Sequence, residues 1–301
     1  MTERVDVERT TVLITGATDG LGRAVADRLA ADGTRVILHG RDPDRLDRAA
    51  TEIADAHGVE RPATQLADLA DLSQVAALAA GVRESTERLD VLVNNAGIGS
   101  GEPDGRTRRT SVDGHELRFA VNYLAGFLLT LELLDLLRAS APARIVHVAS
   151  LGQAPLDFDD LMLERAYDGV GAYAQSKLAQ IMSGFELAER LGDDAAVTVT
   201  SLHPGTYMPT KIVLQERGGS VDSLETGVES TRRLAVDPSL AGVTGVFFDR
   251  RREARAHAQA YDARARATLW DRSVDLVRPH LSDAASTPGS SAPYRPDGDD
   301  R

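Results

Sequence analysis

The strongest constraint on this chain is its alternation of short apolar runs with single helix-length stretches. Residues 11–15, 35–39, 63–66, 90–93, 144–148, 197–202 and 243–248 are brief runs dominated by Val, Ile, Leu and Thr. One helix between two strands returns the chain to the same end of a sheet, so consecutive strands run parallel through right-handed crossovers. Strands apolar along their whole length have both faces buried, which requires helices above and below. The expected fold class is α/β: a doubly wound parallel sheet in a three-layer αβα arrangement, one domain over residues 1–281. Helices are expected from the Gly-rich turn at residue 16 to about 32 and from Pro43 to about 57. Others are expected from a Ser73 cap towards 84, from about 114 to 137, from about 171 to 191, over 223–235 and from about 251 to 271. Residues 100–111 read as a polar loop, 151–170 as an irregular acidic segment and 207–221 as a mobile loop. The tail, 282–301, is rich in Ser, Pro, Gly and Asp and is expected to be disordered.

Charge and composition exclude several function classes. Lys and Arg number 34 against 46 Asp and Glu, a net charge of −12. This argues against nucleic acid and against an anionic membrane surface, since both need clustered cations. The Arg250–Arg255 cluster is interrupted by Glu253 and reads as a solvated face. With no cysteine, disulfides, zinc-thiolate centres and Cys nucleophiles are ruled out, and no metal site is expected. Residues 1–10 are charged and lack the apolar core of a signal peptide. The apolar stretch 120–137 is broken by Asn122, Glu132 and Asp135, so it reads as a buried helix and not a membrane span. A cytoplasmic protein is the expectation.

One end of the pattern suits a dinucleotide. Thr15-Gly16-Ala17-Thr18-Asp19-Gly20-Leu21-Gly22 follows the first strand and opens the first helix. Glycines there permit a tight turn and close approach to a pyrophosphate, and the helix N-terminus offers free N–H groups. The spacing is Gly-x3-Gly-x-Gly rather than Gly-x-Gly-x2-Gly. At the end of the second strand, where an acidic residue would take the ribose hydroxyls of NAD, stands Arg41. Its guanidinium suits a 2′-phosphate and favours NADP(H) over NAD(H); Asp42 beside it could serve a ribose instead. Asp68-Leu69 after the third strand and Asn94-Asn95-Ala96-Gly97 after the fourth fall at the same sheet edge. Either alone would be an ordinary loop; their register with the Gly-rich turn gives them weight.

The other end carries chemistry. Ser150 follows the fifth strand, and Tyr173 and Lys177 share a helix face four residues apart. Tyr207 and Lys211 repeat that spacing, but Pro209 lies between them and disfavours a helix. Only two lysines occur in the chain, which raises the weight of the first pair. A phenol ionises near pH 10, and a neighbouring ammonium lowers that value. Tyr173 can then exchange a proton with a carbonyl or alcohol oxygen while Ser150 holds that oxygen.

Thr-Gly-x3-Gly-x-Gly, Asn-Asn-Ala-Gly, the late Ser and Tyr-Ala-Gln-Ser-Lys, in this order, resemble the short-chain dehydrogenase/reductase family over roughly residues 11–248. The resemblance implies a Rossmann-type fold and an NAD(P)-dependent enzyme acting on CH–OH donors. It implies Asn122, Ser150, Tyr173 and Lys177 as catalytic residues, with Asn122 holding a water linked to the lysine. As cofactor-binding residues it implies Gly16, Thr18, Asp19, Gly20, Leu21, Gly22, Arg41, Asp68, Leu69, Asn95, Ala96 and Gly97, together with Tyr173 and Lys177. Pro204, Gly205 and Thr206 resemble the family's Pro-Gly turn beside the nicotinamide, with the usual Thr offset between Thr206 and Thr210. The segment from Asp113-Gly114-His115-Glu116-Leu117 to Thr130, and Leu156-Asp157-Phe158-Asp159-Asp160, are similar to the retinol-dehydrogenase-like branch, which includes many bacterial enzymes with unrelated substrates. That branch carries an extended loop between Ser and Tyr; here 22 residues separate Ser150 from Tyr173.

The expected reaction is hydride transfer between NADP(H) and a carbonyl or alcohol of a small to medium apolar substrate, most readily ketone reduction. Leu151, Tyr207, Met208 and Ile212 would supply apolar contacts. A non-redox reaction on the same scaffold (dehydration, epimerisation or cyclisation) is the alternative. Family habit implies a homodimer or homotetramer.

Overall fold

Strand β1 (Thr11–Ile14) is the pivot of the sheet. It pairs in parallel with β2 (Arg35–Gly40) on one side and β4 (Val91–Asn94) on the other. The computed structural model describes residues 10–101, 105–192, 196–209, 213, 219–283 and 285. Beyond β2 lies β3 (Ala63–Leu66). Beyond β4 lie β5 (Ala143–Val148), β6 (Val197–His203) and β7 (Val246–Asp249). Among the described residues the order is β3-β2-β1-β4-β5-β6-β7-β8, with only β8 (Arg252–Ala254) antiparallel. This is the Rossmann-type doubly wound sheet expected from the alternation. The strand order reverses between β1 and β4, which opens a crevice at their C-terminal ends.

Side chains alternate across the sheet and build two cores. Leu13, Ile37, Leu92, Ile145 and Phe247 point to one face, and Val12, Val36, Val93, Val146 and Phe248 to the other. The first face is covered by α3 (Leu72–Ser85), α4 (Leu117–Ala139), α5 (Gly169–Leu191) and α7 (Ala263–Val277). The second is covered by α1 (Gly20–Ala31), α2 (Pro43–His57) and α6 (Leu224–Val236). Each fully buried Val, Leu or Ile stabilises by about 1.5–3 kcal/mol. Arg144 on β5 crosses to the C-terminal turn of α6, donating to the carbonyls of Leu234 (3.0 Å) and Asp237 (2.9 Å). It thereby satisfies helix-end acceptors that would otherwise be orphaned.

Helix α4 is long and apolar enough to cross a membrane by length and composition alone. Its most apolar window is 78% buried within the fold. Phe127 on it meets Trp270 of α7 edge-on at 5.0 Å, and Tyr123 bonds Ser273 of α7 at 2.7 Å. The helix is therefore a core element, as its interrupting polar residues suggested.

Several boundaries differ from the sequence expectation, each for a local reason. Helix α3 is capped by Asp71, not Ser73: the Asp71 carboxylate accepts from the N–H groups of Ser73 (3.0 Å) and Gln74 (3.4 Å). Helix α4 begins at Leu117 because Gly114 takes a φ of +83° and Glu116 caps Phe119 N–H at 2.7 Å. The helix expected over 251–271 is instead a hairpin followed by α7. Arg250 adopts a φ of +54° and reverses the chain into β8, and Asp262 caps α7 at Arg264 N–H (2.9 Å). At the tail, Ser282 bonds Glu132 through both its N–H and its hydroxyl. Residues 286–301 and most of the loop after Tyr207, with Thr210, Lys211 and Ile212, lie outside the described residues, as do residues 1–9.

Candidate active site

The crevice at the β1/β4 switch point is one cleft with two lobes. Leu21, Asn95, Gly97 and Ile98 line both. The first lobe, about 360 Å³, is bordered by the Gly-rich turn (Gly16, Thr18, Asp19, Gly20, Gly22), by Arg41, by Asp68 and Leu69, and by Ala96. The second, about 480 Å³, holds Ser150, Tyr173 and Lys177, then Pro204, Gly205 and Thr206. Every residue expected to hold the cofactor thus lies along one continuous groove.

The turn is built for close backbone approach. Gly16 has a φ of +66°, and a Cβ there would stand 3.0 Å from the Cα of Ala96. A Cβ on Gly22 would stand 2.3 Å from the Gly16 carbonyl oxygen and 2.4 Å from Asn95 Nδ2. Asn95 locks the two loops together by donating from Nδ2 to the carbonyls of Thr15 (2.8 Å) and Gly16 (3.3 Å). His39, which the sequence reading left without a role, braces the turn from below. Gly16 N–H donates to its Nδ1 at 3.1 Å, so the proton belongs on Nε2, 3.1 Å from the Ala67 carbonyl. Burial lowers its pKa to about 4, and the ring is neutral at physiological pH. These small residues leave an open cradle at the α1 N-terminus, which fits a dinucleotide phosphate.

At the ribose end, Arg41 is joined by Arg45, a second cation lining the lobe. Arg45 pairs with Asp19 at 2.7 Å. Asp42, the alternative ribose acceptor, instead caps α2 by accepting from Arg45 N–H at 3.0 Å.

In the second lobe, Lys177 comes from α5 and reaches back to β5. Its Nζ donates to the carbonyl of Val148 at 2.8 Å and towards Gln180 Oε1 at 3.4 Å. It lies 5.9 Å from the centre of the Tyr173 ring. Burial lowers the Lys177 pKa to about 8. Ser150 Oγ accepts from Gly152 N–H at 3.0 Å, and a Cβ on Gly152 would stand 3.5 Å from that hydroxyl and 3.8 Å from Tyr173 Cε1, so this glycine leaves the space beside both open. Gly97 keeps the space over the ammonium open: a Cβ there would come within 3.5 Å of Lys177 Nζ and 3.2 Å of Asn122 Oδ1.

Asn122 does not border the two main lobes. It is buried behind them, in a π-helical turn at Ala120–Leu124, a feature frequent at functional sites. It accepts from Ile98 N–H at 2.8 Å and donates to the Ile98 carbonyl (3.1 Å) and Ser176 Oγ (3.0 Å). Ser176 in turn donates to the Tyr173 carbonyl at 2.7 Å. Asn122 therefore ties the Gly97–Ile98 loop to the helix that carries Tyr173 and Lys177.

Thr206 is already engaged. Its hydroxyl lies 3.0 Å from His203 Nε2 and 3.3 Å from Arg250, and its N–H donates to Asp222 at 2.6 Å. Asp222 also receives Arg250. Together these contacts fasten the turn after Pro204-Gly205 to β7. Burial pushes His203 below the usual imidazole range. Sequence reading also missed Arg118. It is fully buried, and it donates to the carbonyls of Gly99 and Ser100 at 2.8 Å each.

A switch-point cleft with a glycine cradle at one end and a Ser, Tyr and Lys cluster at the other defines a dinucleotide-dependent oxidoreductase. Comparison with known proteins agrees. The sequence model of the short chain dehydrogenase family matches residues 10–218. Retinol dehydrogenase 13 of Mus musculus is 36% identical, over 93% of this chain and 86% of its own. A candidate daunorubicin C-13 ketoreductase, DnrU, of Streptomyces sp. (strain C5) is 37% identical, over 89% of this chain and 92% of its own. Among solved structures, the RhlG/NADP active-site complex of Pseudomonas aeruginosa superposes with a TM-score of 0.65 at 27% identity, covering 80% of this chain and 94% of that one. The chain belongs to the short-chain dehydrogenase/reductase family, in its retinol-dehydrogenase-like branch, and is an NAD(P)-dependent oxidoreductase.

Proposed function

We propose that the protein is an NADP(H)-dependent reductase of apolar ketones, with Tyr173 as the proton donor. The observation that carries this reading is the anchoring of Lys177 to the Val148 carbonyl at 2.8 Å, which holds an ammonium beside Tyr173 and Ser150 in one lobe. A nicotinamide held in this cleft would supply the hydride for the carbonyl carbon. Tyr173 gives its hydroxyl proton to the carbonyl oxygen, and the ammonium of Lys177 stabilises the phenolate left behind. Ser150 donates a hydrogen bond to the same oxygen. Asn122 acts behind them, holding the Gly97–Ile98 loop against α5. In the alcohol-oxidising direction Tyr173 takes the proton back.

Arg41 and Arg45 at the ribose end favour a 2′-phosphate, and the commitment of Asp42 to the α2 cap speaks against an NAD-type acidic acceptor. The substrate lobe is bordered by Leu151, Val170, Tyr207 and Met208, with Leu151, Val170 and Tyr207 exposed at its rim. This supports an uncharged, apolar substrate. The named ketoreductase relative supports the ketone direction. The reading carries with it a homodimer or homotetramer in the cytoplasm; sedimentation and cell fractionation test those two points.

A panel of apolar ketones, followed by NADPH absorbance with product analysis, tests the reaction. Stoichiometric NADPH loss and alcohol formation are expected. Product formed without nicotinamide turnover overturns the reading.

A further inference from the structure

Among the described residues, the first lobe carries two cations, Arg41 and Arg45, and two carboxylates, Asp19 and Asp68. Its charges therefore cancel, although a nucleotide with a 2′-phosphate adds roughly two negative charges there at neutral pH. The cancellation is not diffuse. Asp19 stands at the N-cap of α1, where its Oδ1 accepts from Gly20 N–H at 2.7 Å, and its Oδ2 holds the Arg45 guanidinium at 2.7 Å. One carboxylate thus occupies an N–H at the phosphate-facing helix terminus and also engages the second cation. Both groups are about half exposed (39% for the Arg45 side chain, 52% for Asp19), so the pair is open to exchange with an incoming anion.

We propose that Asp19 sets the strength of 2′-phosphate recognition by sequestering Arg45, so that Arg45 is shared between the Asp19 carboxylate and the phosphate. The inference rests on the NADP(H) reading above. With Asp19 in place, only Arg41 meets the phosphate without first leaving a partner carboxylate in this lobe. Without the Asp19 charge, Arg45 turns to the phosphate as a second cation.

The probes are adenosine 2′,5′-bisphosphate and 5′-AMP, which differ only in the 2′-phosphate. Their dissociation constants are measured by calorimetry on the full chain, without substrate or turnover. The ratio of the two constants reports the phosphate contribution alone. Asp19→Asn keeps a capping oxygen and removes the charge; it raises the preference for the bisphosphate about three- to tenfold, the size of one partly screened charge near another. Arg45→Ala lowers the preference below wild type. The double variant restores the neutral balance and returns the preference to near the wild-type value. Raising salt to 0.5 M shrinks all these differences, because both groups are exposed. Asp19→Ser, also a competent cap, repeats the test if the Asn variant melts early.

The inference is overturned if Asp19→Asn and Asp19→Ser leave the preference within twofold of wild type, or if the double variant keeps the full gain. A wild-type protein that binds the two probes equally overturns the NADP(H) reading instead. Even then, a preference newly created by Asp19→Asn supports the role of Asp19.

Discussion

Lys177 Nζ donates to the main-chain carbonyl of Val148 at 2.8 Å, so a side chain from helix α5 is held at the C-terminal end of strand β5. Ser150 follows that strand by two residues, and Tyr173 stands one helical turn before Lys177. The bond thus sets the distance between the two elements that carry the cluster. It also places a buried amine where main-chain and amide oxygens receive it, since Gln180 Oε1 is the other acceptor at hand.

Tyr173→Phe removes the hydroxyl and leaves the ring. Turnover is expected to fall by about 10²–10⁴, the usual worth of a positioned proton donor. NADPH binding, read by quenching of protein fluorescence, should stay within about twofold, because the glycine cradle is untouched. A large loss of cofactor affinity would move Tyr173 from proton transfer to cofactor support.

The Lys177 ammonium gives a stability signature. Its folded pKa, about 8, lies below the ordinary lysine value of 10.5. Between those values the unfolded chain binds more protons than the folded one, so the stability of the native state rises with pH across that window. Below pH 8 the buried charge carries its full cost. Lys177→Met lacks that cost. The melting temperature of the variant minus that of wild type should therefore be larger at pH 7 than at pH 10. A difference that does not change with pH would mean that burial does not lower the Lys177 pKa in the folded state.

Gly22 tests the cradle. An alanine methyl would stand 2.3 Å from the Gly16 carbonyl oxygen, which is backbone and cannot swing aside. Gly22→Ala should cost about 1–3 kcal/mol of stability as the turn shifts. NADPH affinity should fall by about tenfold or more as donors leave their phosphate-facing positions. Gly58→Ala, where no atom lies within 4 Å of the added Cβ but φ is +64°, provides a comparison that is strained yet distant from the site.

Arg41→Ala should weaken NADPH by about 10- to 100-fold, the loss of one charge-assisted contact, and NADH by less than about twofold. Equal losses for both cofactors would remove the case for a 2′-phosphate contact at Arg41.

The legible parts of this protein were those where residue type follows from local demands. The strand–helix alternation, the glycines of the turn and the Tyr-x3-Lys spacing are periodic or conformational signals, and each falls where it was expected. Arg45 was not legible, because a cation three residues into a helix is ordinary until Asp19, 26 residues earlier in the chain, is seen to face it. The π-helical turn around Asn122 and the reversal at Arg250 were hidden for a similar reason. Their backbone conformations are fixed by tertiary contacts with Ile98, Ser176 and Asp222, and helix propensity carries no trace of them.

Arg118 is the sharpest such case and supports a further prediction. It sits at the start of α4 with no exposed surface and spans two carbonyls of the loop that follows β4, Gly99 and Ser100. It also meets the Tyr167 hydroxyl, from the extended segment before α5, and the Glu116 carboxylate at 3.9 Å. Gly99 and Ser100 border the substrate lobe, so Arg118 fastens its roof to both neighbouring segments. Arg118→Met would leave the buried Glu116 without its cation, at a cost of about 3–5 kcal/mol in urea unfolding. Arg118→Lys keeps the charge, but a single ammonium cannot span both carbonyls as the planar fork does, so it should recover only part of that loss. Tyr167→Phe removes one hydroxyl and should cost about 0.5–1.5 kcal/mol. If Arg118→Lys is as stable as wild type, the cluster needs only a charge, and the two-carbonyl clamp does not hold the roof.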